Sequence, residues 1–282
     1  MGTKSFDQSA VQVIAHRGAS AYEYENSVSA FELAVKMGTD WVEMDIRKSA
    51  DGMLVAHHDA SFGDQKFIAD TPSRKLPSEI PSFSEALEAC KGAGVVVEIK
   101  NFPNEPGYDD EHKISVAVAG TLLAYRGIED ILVISFNLDS INRIHTQNIE
   151  IPTGLLVFDP VAASQSIQRA CDNNHSVISF HSSNISETLV SRAHDAGLLV
   201  HTWTVNEAEK MRYFIDVGVD GIVSDRPDIA RKVVNKAEKE KKRKSAMLGG
   251  GIDATRKKRR KDSDEKSGVE IRGRRWKKRW GT

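Results

Sequence analysis

Short runs rich in Val and Ile alternate along the chain with amphipathic stretches, and the alternation repeats eight times. The strand-like runs are VQVIAH (11–16), WVEMDIR (41–47), VVVEIK (95–100), ILVISF (131–136), TGLLVF (153–158), SVISF (176–180), LLVHTW (198–203) and GIVSD (221–225). Segments between them carry apolar residues at i, i+3, i+4 spacing, the period of a helix with one buried face. SVSAFELAVKMG, FSEALEACKGAG, ISVAVAGTLLAYRG, LDSINRIHTQN, ETLVSRAHDAG and EAEKMRYFIDVG are examples. Phe31, Leu33 and Phe214 fall on such faces and are expected in the core. Gly38, Gly127, Gly197 and Gly218 stand where a helix C′ residue belongs. Strands alternating with helices pair in parallel through crossover connections. Eight such units over roughly 230 residues predict an α/β fold, a (βα)8 TIM-type barrel. An open doubly wound sheet is the competitor, but no glycine-rich dinucleotide loop follows an early strand.

Charge changes this picture at one end. The net charge of −1 hides a split: residues 1–231 carry 19 Lys and Arg against 33 Asp and Glu, a net of −14, and residues 232–282 carry 20 against 7, a net of +13. DIARKVVNKAEKEKKRK reads as a last helix fraying into charge. From Ser245 onward, Gly and basic runs with little periodicity cannot bury enough apolar surface, so disorder is expected. The expected organisation is a barrel domain over 1–244 and a basic low-complexity tail over 245–282. RKKRRK and RGRRWKKRW interleave cations with Trp276 and Trp280. Such a tail could hold nucleic acid through phosphates and stacking, or lie on an anionic membrane; a solvated extension is the bland alternative. The two cysteines, Cys90 and Cys171, make no disulfide framework and suit a reducing compartment. No apolar run has the length of a signal peptide core or a membrane span, so a soluble cytoplasmic protein is expected.

In such a barrel, reactive groups sit at the C-terminal ends of strands. The first run ends in His16-Arg17-Gly18, the second contains Glu43-Met44-Asp45, and the third ends in Glu98-Ile99-Lys100. A shorter strand-like segment, LVAHHD, ends in His57-His58-Asp59. Glu43 and Asp45, at i and i+2, share one face of a strand with Cα atoms about 7 Å apart. Two carboxylates aimed into one barrel mouth repel unless a cation lies between them, and a hard divalent ion with oxygen ligands is the simplest answer. Glu98 could supply a third. The alternative is an ordinary ion pair of Glu43 with Arg47 or Lys48. His16 and His58 are candidates for acid–base work, since histidine titrates near neutral pH. Arg17 would grip an anion through its fork and Lys100 as a point charge. Together these parts describe metal-assisted displacement at phosphorus, with a metal-dependent aldolase or isomerase as the rival chemistry.

The stretch IAHRGASAYEYENSVSAFELAVKMGTDWVEMDIRKSADGMLVAHHD resembles the signature of the glycerophosphodiester phosphodiesterases: HRG, then EN with Ser, then ExD, then a His-Asp pair. The likeness continues through IPSFSEAL, VVVEIKN, VHTWTVN and GVDGIVSDRPD, over roughly residues 11–232. It implies that His16 and His58 are the catalytic pair, and that Glu43, Asp45 and Glu98 hold one divalent cation, calcium or magnesium, with manganese a third choice. Arg17, Lys100 and Trp203 would contact substrate, Trp203 as an apolar wall over the glycerol or its leaving alcohol. The resemblance further implies attack of the glycerol 2-hydroxyl on phosphorus, a cyclic phosphate, and its opening by water to glycerol 3-phosphate. That places the chain in lipid and glycerol metabolism. Tyr24 stands where the family commonly has Pro before Glu-Asn. Strand parity does not choose between His57 and His58; the following Asp59 matches the family pair and favours His58. A phospholipase D-like cleavage of lysophospholipids or sphingomyelin is the alternative on the same barrel. His112, His145, His175 and His194 are expected to face solvent, and His181 and Asn206 are candidates to line the pocket.

Overall fold

The computed structural model describes residues 10–125, 130–147 and 150–266. In chain order the elements are β1 (Gln12–Ala15), α1 (Val28–Lys36), β2 (Trp41–Lys48), β3 (Leu54–Ala56), β4 (Ser61–Phe62), β5 (Lys66–Phe67), α2 (Phe83–Ala89), β6 (Gly94–Ile99) and α3 (Lys113–Ala124). They continue as β7 (Ile131–Ser135), α4 (Leu138–His145), β8 (Thr153–Val157), α5 (Ala163–Asp172), β9 (Val177–His181), α6 (Glu187–Asp195), β10 (Leu199–Trp203), α7 (Ala208–Val217), β11 (Gly221–Ser224) and α8 (Pro227–Lys266). The sheet order β1-β11-β10-β9-β8-β7-β6-β2 closes through a β1–β2 pairing, and all eight strands are parallel. Each of the eight strand-like runs of the sequence is one barrel strand, with ends shifted by a residue or two.

Period-two alternation sorts the strand side chains between two cores. Ile14, Trp41, Val96, Leu132, Ile134, Leu156, Val177 and Val223 fill the barrel interior. Val13, Val42, Met44, Val95, Val97 and Val133 face outward and pack in the shell with Phe31, Leu87, Ile141 and Phe214; Leu33 lies partly buried against it. Local chemistry sets the helix ends. Ser27 caps α1 through the Ala30 amide, and Ser82 and Glu85 form a reciprocal capping box on α2. Gly38, Gly197 and Gly218 take positive φ just past α1, α6 and α7. Gly127 lies outside the described residues.

Two features depart from the sequence reading. β3 runs antiparallel to the end of β2, Ile46 opposite Ala56, and leads into a small β4–β5 hairpin. Its two-residue strands are too short to leave an alternating pattern. The chain also divides into two units, Met1–Ala237 and Glu238–Thr282, and α8 continues as helix to Lys266. The sequence reading expected disorder from Ser245, and the helix is described as far as Lys266. Lys, Arg, Glu and Ala are strong helix formers, and propensity acts without a buried face; the sequence reading weighed burial alone. Trp276 and Trp280 lie outside the described residues. No helix among the described residues is long and apolar enough to cross a membrane.

Candidate active site

β1 hands the chain to a turn in which Arg17 (φ 55°) and Gly18 (φ 82°) are left-handed. A Cβ at Gly18 would lie 2.6 Å from the Ala30 carbonyl carbon, so only glycine lets this turn press onto α1. The turn aims the Arg17 amide at Glu43 Oε2, 2.8 Å away. Asn26, also left-handed at φ 56°, is clamped to Asp45 both ways. Its Nδ2 donates to Asp45 Oδ2 at 2.8 Å, and its Oδ1 accepts from the Asp45 amide at 3.1 Å.

β2 and β6 set Asp45 opposite Glu98 in register. Glu43, Asp45 and Glu98 are buried and bring one carboxylate oxygen each within 4.8 Å of one another. Two cations flank them: Arg17 Nε lies 3.2 Å from Asp45 Oδ2, and Lys100 Nζ lies 2.9 Å from Glu98 Oε1 and 3.5 Å from Asp45 Oδ1. Arg17 Nη1 also pairs with Glu25 at 2.9 Å. Burial, then the charges of Asp45 and Glu98, push the Glu43 carboxyl well above its ordinary range. Burial raises Glu98 to about 7 despite Lys100. Burial would raise Asp45 too, but Lys100, Arg17, His58 and the Asn26 hydrogen bond outweigh it and hold that carboxyl low. The ion pair of Glu43 with Arg47 or Lys48 does not form. Arg47 binds the His58 carbonyl and Glu105, and Lys48 binds Asp109.

Each histidine of the expected pair rests on a carboxylate. His16 Nδ1 meets Asp225 Oδ1 at 2.6 Å, where Asp225 follows β11. Asp225 also accepts from Ser20 Oγ at 3.0 Å and from Asn206 Nδ2 at 2.6 Å. Burial works to raise its carboxyl, yet the hydrogen bond and charge of His16, with Asn206 and Ser20, bring it down to about 2. His58 Nδ1 meets Asp59 Oδ1 at 2.7 Å. Burial lowers His58 below its ordinary value, Lys100 and Arg17 adding to the effect and Asp45 and Asp59 opposing it. His57 turns elsewhere, its Nε2 3.1 Å from the Ser61 carbonyl.

These groups surround a cavity of about 330 Å³ at the C-terminal ends of the strands. One half is ionic, with His16, Arg17, Glu43, His58, Glu98 and Lys100; the other is apolar, with Ile134, Phe136, Leu156, Trp203 and Val223. Trp203 meets the edge of Phe136 at a centroid distance of 5.5 Å, and its Nε1 donates to the Ser179 carbonyl at 3.2 Å. Seven of the eight residues expected at the site line this cavity; Asp45 sits behind, covered by Arg17, Lys100 and Asn26. Asn206 does not line it but holds Asp225, and His181 packs edge-on against Trp203. His201 does line it, buried and pushed down to about 4 by desolvation.

Sequence reasoning missed Asp225, Asn26 and His201. Asp225 was within reach, since it closes the run GIVSD and the strand-end rule applies to it. The solvent-facing histidines need correction as well: only His194 is exposed. His175 is buried on the Thr153 hydroxyl at 2.8 Å, His145 shares that hydroxyl from the other side, and His112 bonds Ser140. A polar partner on a neighbouring element, invisible in sequence, is what admits each ring.

The sequence model of the Glycerophosphoryl diester phosphodiesterase family matches residues 16–229. A glycerophosphodiester phosphodiesterase of Caldanaerobacter subterraneus subsp. tengcongensis is 27% identical over 249 residues, 79% of this chain and 98% of its own. A lysophospholipase D of Mus musculus is 25% identical over 268 residues, 79% of this chain and 85% of its own. Among solved structures, an Oleispira antarctica phosphodiesterase in complex with the product sn-glycerol-3-phosphate superimposes with a TM-score of 0.73. It is 27% identical, covering 82% of this chain and all of the other.

Proposed function

The chain belongs to the Glycerophosphoryl diester phosphodiesterase family, a family of phosphoric diester hydrolases, and from that premise we propose that it cleaves glycerophosphodiesters to glycerol 3-phosphate and an alcohol. One observation carries the reading: a buried carboxylate triad and two carboxylate-backed histidines converge on one cavity.

Glu43, Asp45 and Glu98 would hold one divalent cation, calcium or magnesium. Buried oxygen donors within 4.8 Å of one another suit a hard ion. The raised carboxyls of Glu43 and Glu98 are what uncompensated repulsion and burial produce. The three carboxylates with Arg17 and Lys100 sum to −1, so a divalent ion makes the set +1, matched to a phosphodiester of charge −1. When bound, the ion supplies positive charge toward the phosphoryl oxygens. Arg17 and Lys100 add donors on the same side, and Trp203 walls the apolar side.

His16, oriented by Asp225, takes the proton of the glycerol 2-hydroxyl. The hydroxyl oxygen bonds to phosphorus, the bond to the leaving alcohol breaks, and His58 gives that oxygen its proton. In the second half the roles reverse. His58 takes a proton from water, water oxygen bonds to phosphorus, the ring opens, and His16 returns its proton to the 2-oxygen. The depressed proton affinity of His58 suits a donor, and a carboxylate on Nδ1 suits the imidazolium that His16 becomes.

A substrate analogue lacking the 2-hydroxyl tests this sequence. It should bind as a competitive inhibitor and release no alcohol, while glycerophosphocholine yields glycerol 3-phosphate by phosphorus NMR. Turnover of the analogue at the normal rate would overturn attack by the 2-hydroxyl. Resemblance to the murine lysophospholipase D supports a second reading in which lysophospholipids use the same cavity. Two free cysteines, one of them buried, support a cytoplasmic enzyme. The basic composition beyond residue 245 supports contact with an anionic membrane or nucleic acid.

A further inference from the structure

Arg47 is a buried cation whose partners lie outside the carboxylate triad. It follows Glu43 and Asp45 at i+2 spacing on β2, so its side chain leaves the strand on their face, and it lines the catalytic cavity. That side chain is only 7% exposed, and burying a cation is costly unless its donors are engaged. Nε donates to the His58 carbonyl at 2.8 Å. Nη2 meets Glu105 Oε2 at 2.9 Å, on the loop between β6 and α3. The loop has anchors of its own: Lys48 Nζ reaches Asp109 Oδ2 at 2.8 Å, and the Asn101 side chain bonds both the amide and the carbonyl of Asp109. What depends on the guanidinium is therefore the His58 peptide, with Glu105 orienting the fork.

His58 is tied to β2 on both sides. The amide before it, that of His57, donates to the Asp45 carbonyl at 2.9 Å, and its own carbonyl takes Arg47 Nε. Past β3 the chain leaves the barrel sheet. Asp59, which holds Nδ1 of His58, has a side chain 74% exposed. A contact so open to water is a weak anchor, so the aim of the ring rests on the backbone that carries it. We propose that Arg47 is a positioning residue for the reaction: by fixing the His58 peptide it keeps Nε2 of that ring on the leaving oxygen. The inference rests on the phosphodiesterase reading above, in which the bond from phosphorus to the leaving alcohol breaks, its electron pair stays on that oxygen, and His58 supplies the proton. Such a step is sensitive to geometry, since a misplacement of about 1 Å can cost about 10²-fold.

Leaving-group dependence tests this role. Choline is a poor leaving group and needs the proton, whereas 4-nitrophenol departs as a stable anion and does not. Single-turnover release of the alcohol, with enzyme in excess and saturating calcium or magnesium, isolates the first half of the reaction. From glycerophosphocholine, Arg47→Ala should release choline about 10²-fold more slowly than wild type, at an unchanged half-saturating concentration. From the 4-nitrophenyl ester of glycerol 3-phosphate, the same variant should stay within about threefold of wild type, which also shows that it is folded. Arg47→Lys keeps the buried charge but not the fork. It should show the same split to a smaller degree, and it carries the test if the alanine variant does not fold. Equal losses on both esters would make Arg47 a phosphate ligand or a structural support, and wild-type rates on both would make it dispensable; either result overturns the proposal. Wild-type enzyme that releases alcohol from neither ester overturns the phosphodiesterase reading itself, a result distinct from both.

Discussion

Asp225→Asn removes one charge behind His16 and keeps the shape. The carboxyl sits at about 2 against an ordinary 3.8, through hydrogen bonds from His16, Asn206 and Ser20 and the charge of His16. That difference corresponds to roughly 2 to 3 kcal/mol of preference for the charged form, or roughly 60-fold. The side chain is 29% exposed, so solvent does not erase the effect. An amide gives up that stabilisation of the imidazolium. It can also present its NH₂ to Nδ1 and select the wrong tautomer, a change worth about 10⁴-fold where an orienting carboxylate has been replaced behind a catalytic histidine. Between these bounds, kcat should fall on the order of 10²–10³-fold, with KM nearly unchanged because Asp225 lies behind the ring. Asn206→Ala, which frees the second carboxylate oxygen and takes the acceptor from the Asp225 amide and the Ser224 hydroxyl, keeps the charge behind His16 and should cost less than Asp225→Asn. Release of glycerol 3-phosphate from glycerophosphocholine at saturating calcium or magnesium measures both, with Tm as the control for folding. Wild-type turnover in Asp225→Asn would refute the assignment of Asp225 as the group that orients His16.

His58→Ala should lose on the order of 10²–10⁴-fold in rate, while His57→Ala, whose ring faces the Ser61 carbonyl, should stay within a few-fold of wild type; the reverse order would move the catalytic role to His57. His175 and His201 are held near 4 by burial, below the ordinary 6.5. The unfolded chain therefore binds more protons between pH 6.5 and 4, and Tm should fall through that window. A calorimetric Tm that stays flat from pH 7 to 4.5 contradicts their buried neutral state. A chain stopped after Ser245 keeps every barrel strand. It should retain its turnover of soluble diesters but lose salt-sensitive retention on heparin, at about −0.9 in log–log slope per phosphate engaged on duplex DNA. Lost turnover would show that the later residues serve the barrel.

The barrel was legible because its strands are long apolar runs and three of its helices, α1, α6 and α7, end on glycine, two signals that survive in a single sequence. The site was legible where parity carries it. Glu43 and Asp45, at i and i+2, do share the inward face, and Glu98 stands in register with Asp45. Asp225 and Asn26 were not singled out, because each acts through a partner far along the chain, 209 residues away for His16–Asp225 and 19 for Asn26–Asp45. Spacing cannot show such pairs. The hairpin of β4 and β5 is invisible for the opposite reason: two-residue strands have no period. Beyond Ser245 the composition permits two outcomes. A charged, apolar-poor stretch satisfies the test for disorder and, being rich in Lys, Arg and Glu, the test for helix propensity as well.

The central claim is that Glu43, Asp45 and Glu98 together hold the ion that makes the cavity a phosphodiesterase site, and chelation addresses it most directly. Protein stripped with EDTA should release no glycerol 3-phosphate from glycerophosphocholine, and added calcium, magnesium or manganese should restore the rate and raise Tm. Glu43→Gln should fold at least as stably as wild type without metal, because one of three mutually repelling carboxylates is gone, yet show neither the recovery nor the rise. Full turnover in chelator, or a metal response that Glu43→Gln retains, contradicts the account.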